Sequence, residues 1–180
     1  LKAASDHFWA HCGLAGELTT EGKTDEAWSL LERARELDPK SAVPENLLGR
    51  VAERRGVVGE AEAHYRKAIE LDPALTLARV NLGVLLVGVG RHDDARAVLD
   101  EAAQLAPADP MPLLGLGVAA QSAGDTEGAT GWFEKATKLD TNSVTSLNLL
   151  ANAYIQLGRL ENAEAALDAA LTREPRHAET

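Results

Sequence analysis

The chain has 180 residues and a net charge of −10, with 45% hydrophobic and 4% aromatic residues. So many apolar side chains can build a packed core, so the chain need not be disordered, and the scarcity of aromatics beside abundant Ala and Leu favours closely packed helices over a β-sandwich. The acidic balance disfavours nucleic acid as a partner, no apolar run is long enough to span a membrane, and the single cysteine excludes a disulfide framework and fits a reducing compartment such as the cytoplasm.

Residues 1–7 read as the tail of an upstream helix, with Ser5 or Asp6 as the N-cap of a helix beginning at Phe8 and Trp9. Leucine at position 1 predicts a segment of a longer chain. The stretch DHFWAHCG (6–13) holds the lone Cys12 and the pair His7 and His11. At a spacing of four, both imidazoles fall on one helix face and could share a metal. No acidic third ligand follows at helical spacing, so an end of a helical stack is the reading carried forward and no metal or cofactor is expected. Cys12 is expected to line a groove as a small residue, and no neighbouring cation lowers its pKa.

From here a ruler governs the chain. Gly22, Gly56, Gly90, Gly124 and Gly158 stand 34 apart. The same step relates Leu14, Leu48, Leu82, Leu116 and Leu150, and beside them Ala15, Gly49, Gly83, Gly117 and Ala151. It also relates Ala27, Ala61, Ala95, Ala129 and Ala163, and Ala34, Ala68, Ala102, Ala136 and Ala170. A larger apolar row is Leu31, Tyr65, Leu99, Phe133 and Leu167. Prolines 39, 73, 107 and 175 close the units, with Thr141 standing in once. A fixed period of this length predicts a repeat fold in which each unit is two helices. The first unit places Leu14 and Ala15 as its first core pair. In the second, a helix is expected near Val43–Arg54 and another near Gly59–Leu71, broken at Gly56 and stopped by Asp72-Pro73. In the third, His92-Asp93-Asp94 reads as a helix start with acids on the N-terminal dipole. The fourth contains GLGVAA (115–120), a G-x-G-x-x-A match; its Gly117 belongs to the helix-packing row, so dinucleotide binding is not expected. No G-x-S-x-G, H-E-x-x-H or Walker lysine occurs, and no catalytic constellation emerges.

This array resembles the tetratricopeptide repeat (TPR) family. The resemblance rests on stretches such as AEAHYRKAIELDP (61–73) and LNLLANAYIQLGRLENAEAAL (147–167). It covers residues 8–177 in five units, 8–41, 42–75, 76–109, 110–143 and 144–177, with 178–180 as a tail. It implies an all-α, right-handed α-α superhelix whose first helices line a concave groove. The departures are His11, Glu45 and Arg79, where a bulky apolar residue is usual, and a last unit that ends Thr172-Arg173-Glu174 without a capping helix.

By resemblance, the groove-facing residues include Cys12 in the first unit, Asn46 and Arg50 in the second, and Leu77, Val80, Asn81 and Val84 in the third. They continue with Met111, Leu114, Val118 and Gln121 in the fourth, and Asn148, Asn152, Ile155 and Gln156 in the fifth. Amides at intervals between apolar patches suit an extended peptide or an apolar helix face. Clamping of a chaperone tail's carboxylate, known in some TPR proteins, is disfavoured, because Leu77, Val80 and Val84 stand where cations would be wanted. The expected function is a non-catalytic protein-binding scaffold. The alternatives are a substrate-recruiting segment of a larger enzyme (a glycosyltransferase, sulfotransferase or peptidase) and a scaffold that forms homo-oligomers through uncapped ends. Rich Ala, Arg, Leu and Gly usage is in keeping with a GC-rich bacterial genome.

Overall fold

The computed structural model describes the backbone of residues 2–173 and the side chains of residues 7–173. Pro175, the last residues of the fifth unit and the tail 178–180 lie outside the described residues. Within them the chain is all-α, with ten helices: α1 (Lys2–Thr20), α2 (Thr24–Leu37), α3 (Ala42–Arg54), α4 (Val58–Leu71), α5 (Thr76–Gly88), α6 (His92–Leu105), α7 (Pro110–Ser122), α8 (Thr126–Leu139), α9 (Val144–Gln156) and α10 (Leu160–Arg173). They alternate as first and second helices of five helix-turn-helix units. One correction falls at the start: α1 runs unbroken through Ser5 and Asp6, so neither caps a helix at Phe8.

The turns follow from the ruler. Each of the five ladder glycines has φ between 71° and 86°, the left-handed region where a side chain is strained. There Gly56 N–H donates to Glu53 O and Val57 N–H donates to Ala52 O, the paired bonds that close a helix C-terminus, and the same pair recurs at every ladder glycine. Between units, Asp38, Asp72 and Asp140 each accept from the backbone N–H two residues on, the local bond that makes Asp a turn residue. Ser41, Asp109 and Ser143 then cap α3, α7 and α9.

The chain divides into two compact units, one up to Leu85 and one from Leu86. In the first, α1 packs on α2 and α3, and α3 on α4. A cluster of Ala15, Leu18, Ala27, Leu31, Leu48 and Val51 forms its core. In the second, α7 packs on α6 and α8, and α9 on α8 and α10. Here Leu114, Ala129, Phe133, Ala136, Leu150 and Ala153 cluster. The glycine row is steric: a Cβ on Gly49 would lie 2.5 Å from the Tyr65 ring, and one on Gly117 would overlap the Phe133 ring.

Two apolar rows lose their cover at the margins. Leu48, Leu82, Leu116 and Leu150 are buried, but Leu14, expected in the core, is 48% exposed, because no helix precedes α1 among the described residues. Leu167 is likewise 39% exposed, whereas its counterparts Leu31, Tyr65, Leu99 and Phe133 are fully buried.

Two of the three polar departures from the apolar pattern, Glu45 and Arg79, are buried with partners, and His11 is half-buried. Glu45 accepts a bond from His64 Nδ1 at 2.7 Å and lies 3.5 Å from Arg35. Arg79 donates to Pro73 O at 2.6 Å. A buried polar group is tolerated when it is hydrogen-bonded, which is why these residues substitute for an aromatic without opening the stack.

Candidate functional site

The first helices carry the residues expected to meet a ligand. In the first unit, Asn81 Nδ2 donates to Asn46 Oδ1 at 2.9 Å, joining α5 to α3. Asn46 is buried and Asn81 half-buried. Leu77 and Val84, on α5, are exposed at 49% and 45%. Arg50 is exposed, has no ion-pair partner among the described residues, and borders a polar cavity of about 480 Å³ with Thr19, Thr20, Glu53 and Arg54. Two contacts stiffen that cavity's wall: Tyr65 Oη donates to Glu53 at 2.8 Å, and Arg54 donates to Thr20 O at 3.3 Å. Burial and the Glu53 carboxylate push the Tyr65 phenol well above its usual range, so it stays a donor.

The second unit repeats the device with a different amide. Gln121 Nε2 donates to Gln156 Oε1 at 2.9 Å, joining α7 to α9. The separation of 35 residues is the same as for Asn46 and Asn81. Asn148 and Asn152, one turn apart on α9, are exposed and have no hydrogen-bond partner among the described residues. Met111 and Ile155 are about half exposed, and Val118 is half-buried. The arrangement therefore offers free amides on α9 and apolar side chains beside them, with one amide bridge tying the two helices.

Four residues placed on the groove turn inward instead. Leu114 joins the core with Phe133 and Leu150. Val80 is buried. Asn46 is buried and spends its oxygen on Asn81. Cys12 is buried with Phe8 and Ala34 rather than lining a groove, and burial pushes its thiol up to about 11. The helical register alone could not tell these from exposed neighbours: a first helix sits between its own partner and the next unit, so its inward arc is wide. The amide bridges were missed for a related reason. Their signal is an Asn or Gln pair 35 apart rather than 34, one residue off the ruler.

The opening histidines come together only as rings. His7 and His11 stack with centroids 6.5 Å apart. Among the described residues no group of three or more His, Cys, Asp or Glu is placed to hold a metal ion, and no helix is long and apolar enough to cross a membrane.

Among curated proteins none matches the sequence. Solved structures do resemble the fold. Pseudomonas aeruginosa pilF superposes with a TM-score of 0.83 at 24% identity, over 98% of this chain and 80% of that one. A thermophilic TPR protein of Thermus thermophilus gives 0.81 at 24% identity, over 94% and 93%. YrrB, described as a TPR protein with an unusual peptide-binding site, gives 0.62 at 22%, over 93% and 86%. In sequence, one tetratricopeptide repeat profile matches residues 14–76 and 80–144, and another matches 120–179. With more than half of its length matched and ten helices in the expected alternation, the chain belongs to the tetratricopeptide repeat family.

Proposed function

We propose that this TPR protein is a non-catalytic interaction scaffold that binds an extended peptide or an apolar helix on its first-helix surfaces. One observation carries the reading: on α9 the amides of Asn148 and Asn152 are exposed and unpartnered beside the half-exposed Ile155, with Met111 on the adjacent α7. Each amide offers a donor and an acceptor to a peptide backbone, and the apolar neighbours offer contact area to its side chains. In the first unit, Leu77, Asn81 and Val84 present the same alternation, with Arg50 as a free cation for a ligand carboxylate. The amide bridges hold neighbouring helices in register before a ligand arrives, which lowers the ordering cost of binding.

The test is a peptide-display screen of the wild type beside an Asn81→Ala, Asn148→Ala double variant. Enrichment of a sequence pattern by the wild type, lost in the variant, is the expected result. If the variant enriches the same pattern as strongly, these amides do not form the site.

A further inference from the structure

At two junctions between repeats the same neighbour covers a second helix. Leu31 on α2 clusters with Leu48 and Val51 of α3, and Phe133 on α8 clusters with Leu150 and Ala153 of α9. In both places the first helix of the following repeat lies on the apolar face of the second helix before it. On α10 the same place is Leu167, and no helix follows it among the described residues. Leu167 is 39% exposed, and Leu160 and Leu171 on that face are exposed at 66% and 52%. The neighbouring side of α9 is uncovered too. Asn46, Val80 and Leu114 are buried, whereas Asn148, at their place on α9, is exposed.

The same two junctions carry a charge pair. Arg55, at the end of α3, donates to Asp25 Oδ1 in the first turn of α2 at 2.6 Å. Arg159, in the turn after α9, donates to Glu127 Oε1 in the first turn of α8 at 2.8 Å. Asp25 and Glu127 share one place on the ruler, and Glu161, in the first turn of α10, stands there as well. Gly59 and Asp93, at that place in the other two repeats, make no such pair among the described residues. Glu161 is exposed without an ion-pair partner among the described residues. The same holds for Glu164, which lies between Leu160 and Leu167 along the leucine face.

We infer that α9 and α10 form a docking face for one amphipathic helix of a protein partner, seated on them as α3 sits on α1 and α2. Its anchor is a leucine against Leu167. An arginine about two turns further on, as Arg55 follows Leu48, pairs with Glu161. Glu164 adds to the acidic rim, so the flank of the partner helix is basic. A second copy of this chain is the wrong occupant by charge. Its α1 in this seat brings Glu21, at the place of Arg55, against Glu161, and puts Glu17 where the buried Val51 lies. This face meets the amides of the peptide reading above only at Asn148, and its test changes α10 alone.

The probe is α3 itself as a free peptide, residues 41–56, acetylated, amidated and labelled with fluorescein. It is titrated with the full chain and read by fluorescence anisotropy. The expected result is saturable binding at a Kd on the order of 100 μM. Leu167→Glu in the chain, or Leu48→Glu in the peptide, should weaken it more than about tenfold. Glu161→Gln in the chain and Arg55→Gln in the peptide should each weaken it about threefold, and the two together should cost no more than either alone, as a direct pair requires. Should Leu167→Glu fold poorly by circular dichroism, that cycle still decides, because Glu161 is exposed. No saturable binding, binding unchanged in a folded Leu167→Glu, or additive losses in the cycle would overturn the assignment. So would a wild-type mass that rises with concentration while Leu167→Glu stays monomeric, since a second copy would then be the occupant.

Discussion

Glu45 shows how one residue can break a family pattern and keep the fold. It sits where an aromatic is usual, yet it is buried with His64 and Arg35 as partners. The hydrogen bond from His64, with the charges of His64 and Arg35, holds its carboxyl below the ordinary value of 4.5 despite burial. A carboxylate with a depressed folded pKa stabilises the native state fully above its unfolded pKa, and that contribution is lost as pH falls through the folded value. Stability is therefore expected to drop as pH falls below about 4.5, and Glu45→Gln should flatten that part of the profile. Urea unfolding of both proteins between pH 6 and pH 3 checks this. A profile as steep in Glu45→Gln as in the wild type would place the acid-sensitive group elsewhere. Neither the burial of Glu45 nor its partner was legible in the sequence, because His64 lies 19 residues away on the next helix.

At the scale of elements, the α3–α4 and α7–α8 pairs are each set by steric fit at one glycine. Gly49 leaves α3 close enough to α4 for Tyr65 to be fully buried with its hydroxyl reaching Glu53. Adding one methyl there forces the ring or the helix to move. Gly49→Ala is expected to destabilise by about 1–3 kcal/mol, the usual cost of overpacking, even though Ala is the better helix former. Thermal or urea unfolding measures it. Pairing the change with Tyr65→Leu should recover part of the loss, whereas a neutral Gly49→Ala would mean that the close approach is not a constraint. The small-residue row was plain from the 34-residue step. That Gly49 faces Tyr65 and Gly117 faces Phe133 was not, since that depends on how two helices cross.

Over the whole molecule, exposed leucines occur singly along the array and as an aligned set on its last described helix. Leu160, Leu167 and Leu171 share one face of α10, at 66%, 39% and 52% exposure, and Leu14 is uncovered on α1. Single exposed leucines need no explanation, but an aligned set is a surface that further chain or another copy can cover. If copies cover it, the mass of the purified chain should rise between roughly 1 and 100 μM, and Leu160→Glu with Leu171→Glu should hold it monomeric. Sedimentation over that range decides: constant monomer mass in the wild type removes self-association as a function of this face.

The fold was written in the sequence because a repeat states the same constraint five times. A glycine that must take positive φ, two alanines at a helix crossing and a bulky residue between them are each ambiguous alone, and at a 34-residue step they leave one architecture. The candidate site was legible only in outline. Periodicity assigns a residue to an arc of a helix, but whether Leu114 is core and Met111 surface depends on the next helix's distance and tilt. The pairing of Asn46 with Asn81 and of Gln121 with Gln156, and the burial of Cys12 against Ala34, were likewise decided by tertiary structure. Each joins residues some 10 to 40 positions apart, and a contact across that separation is set by packing geometry, which local spacing does not encode.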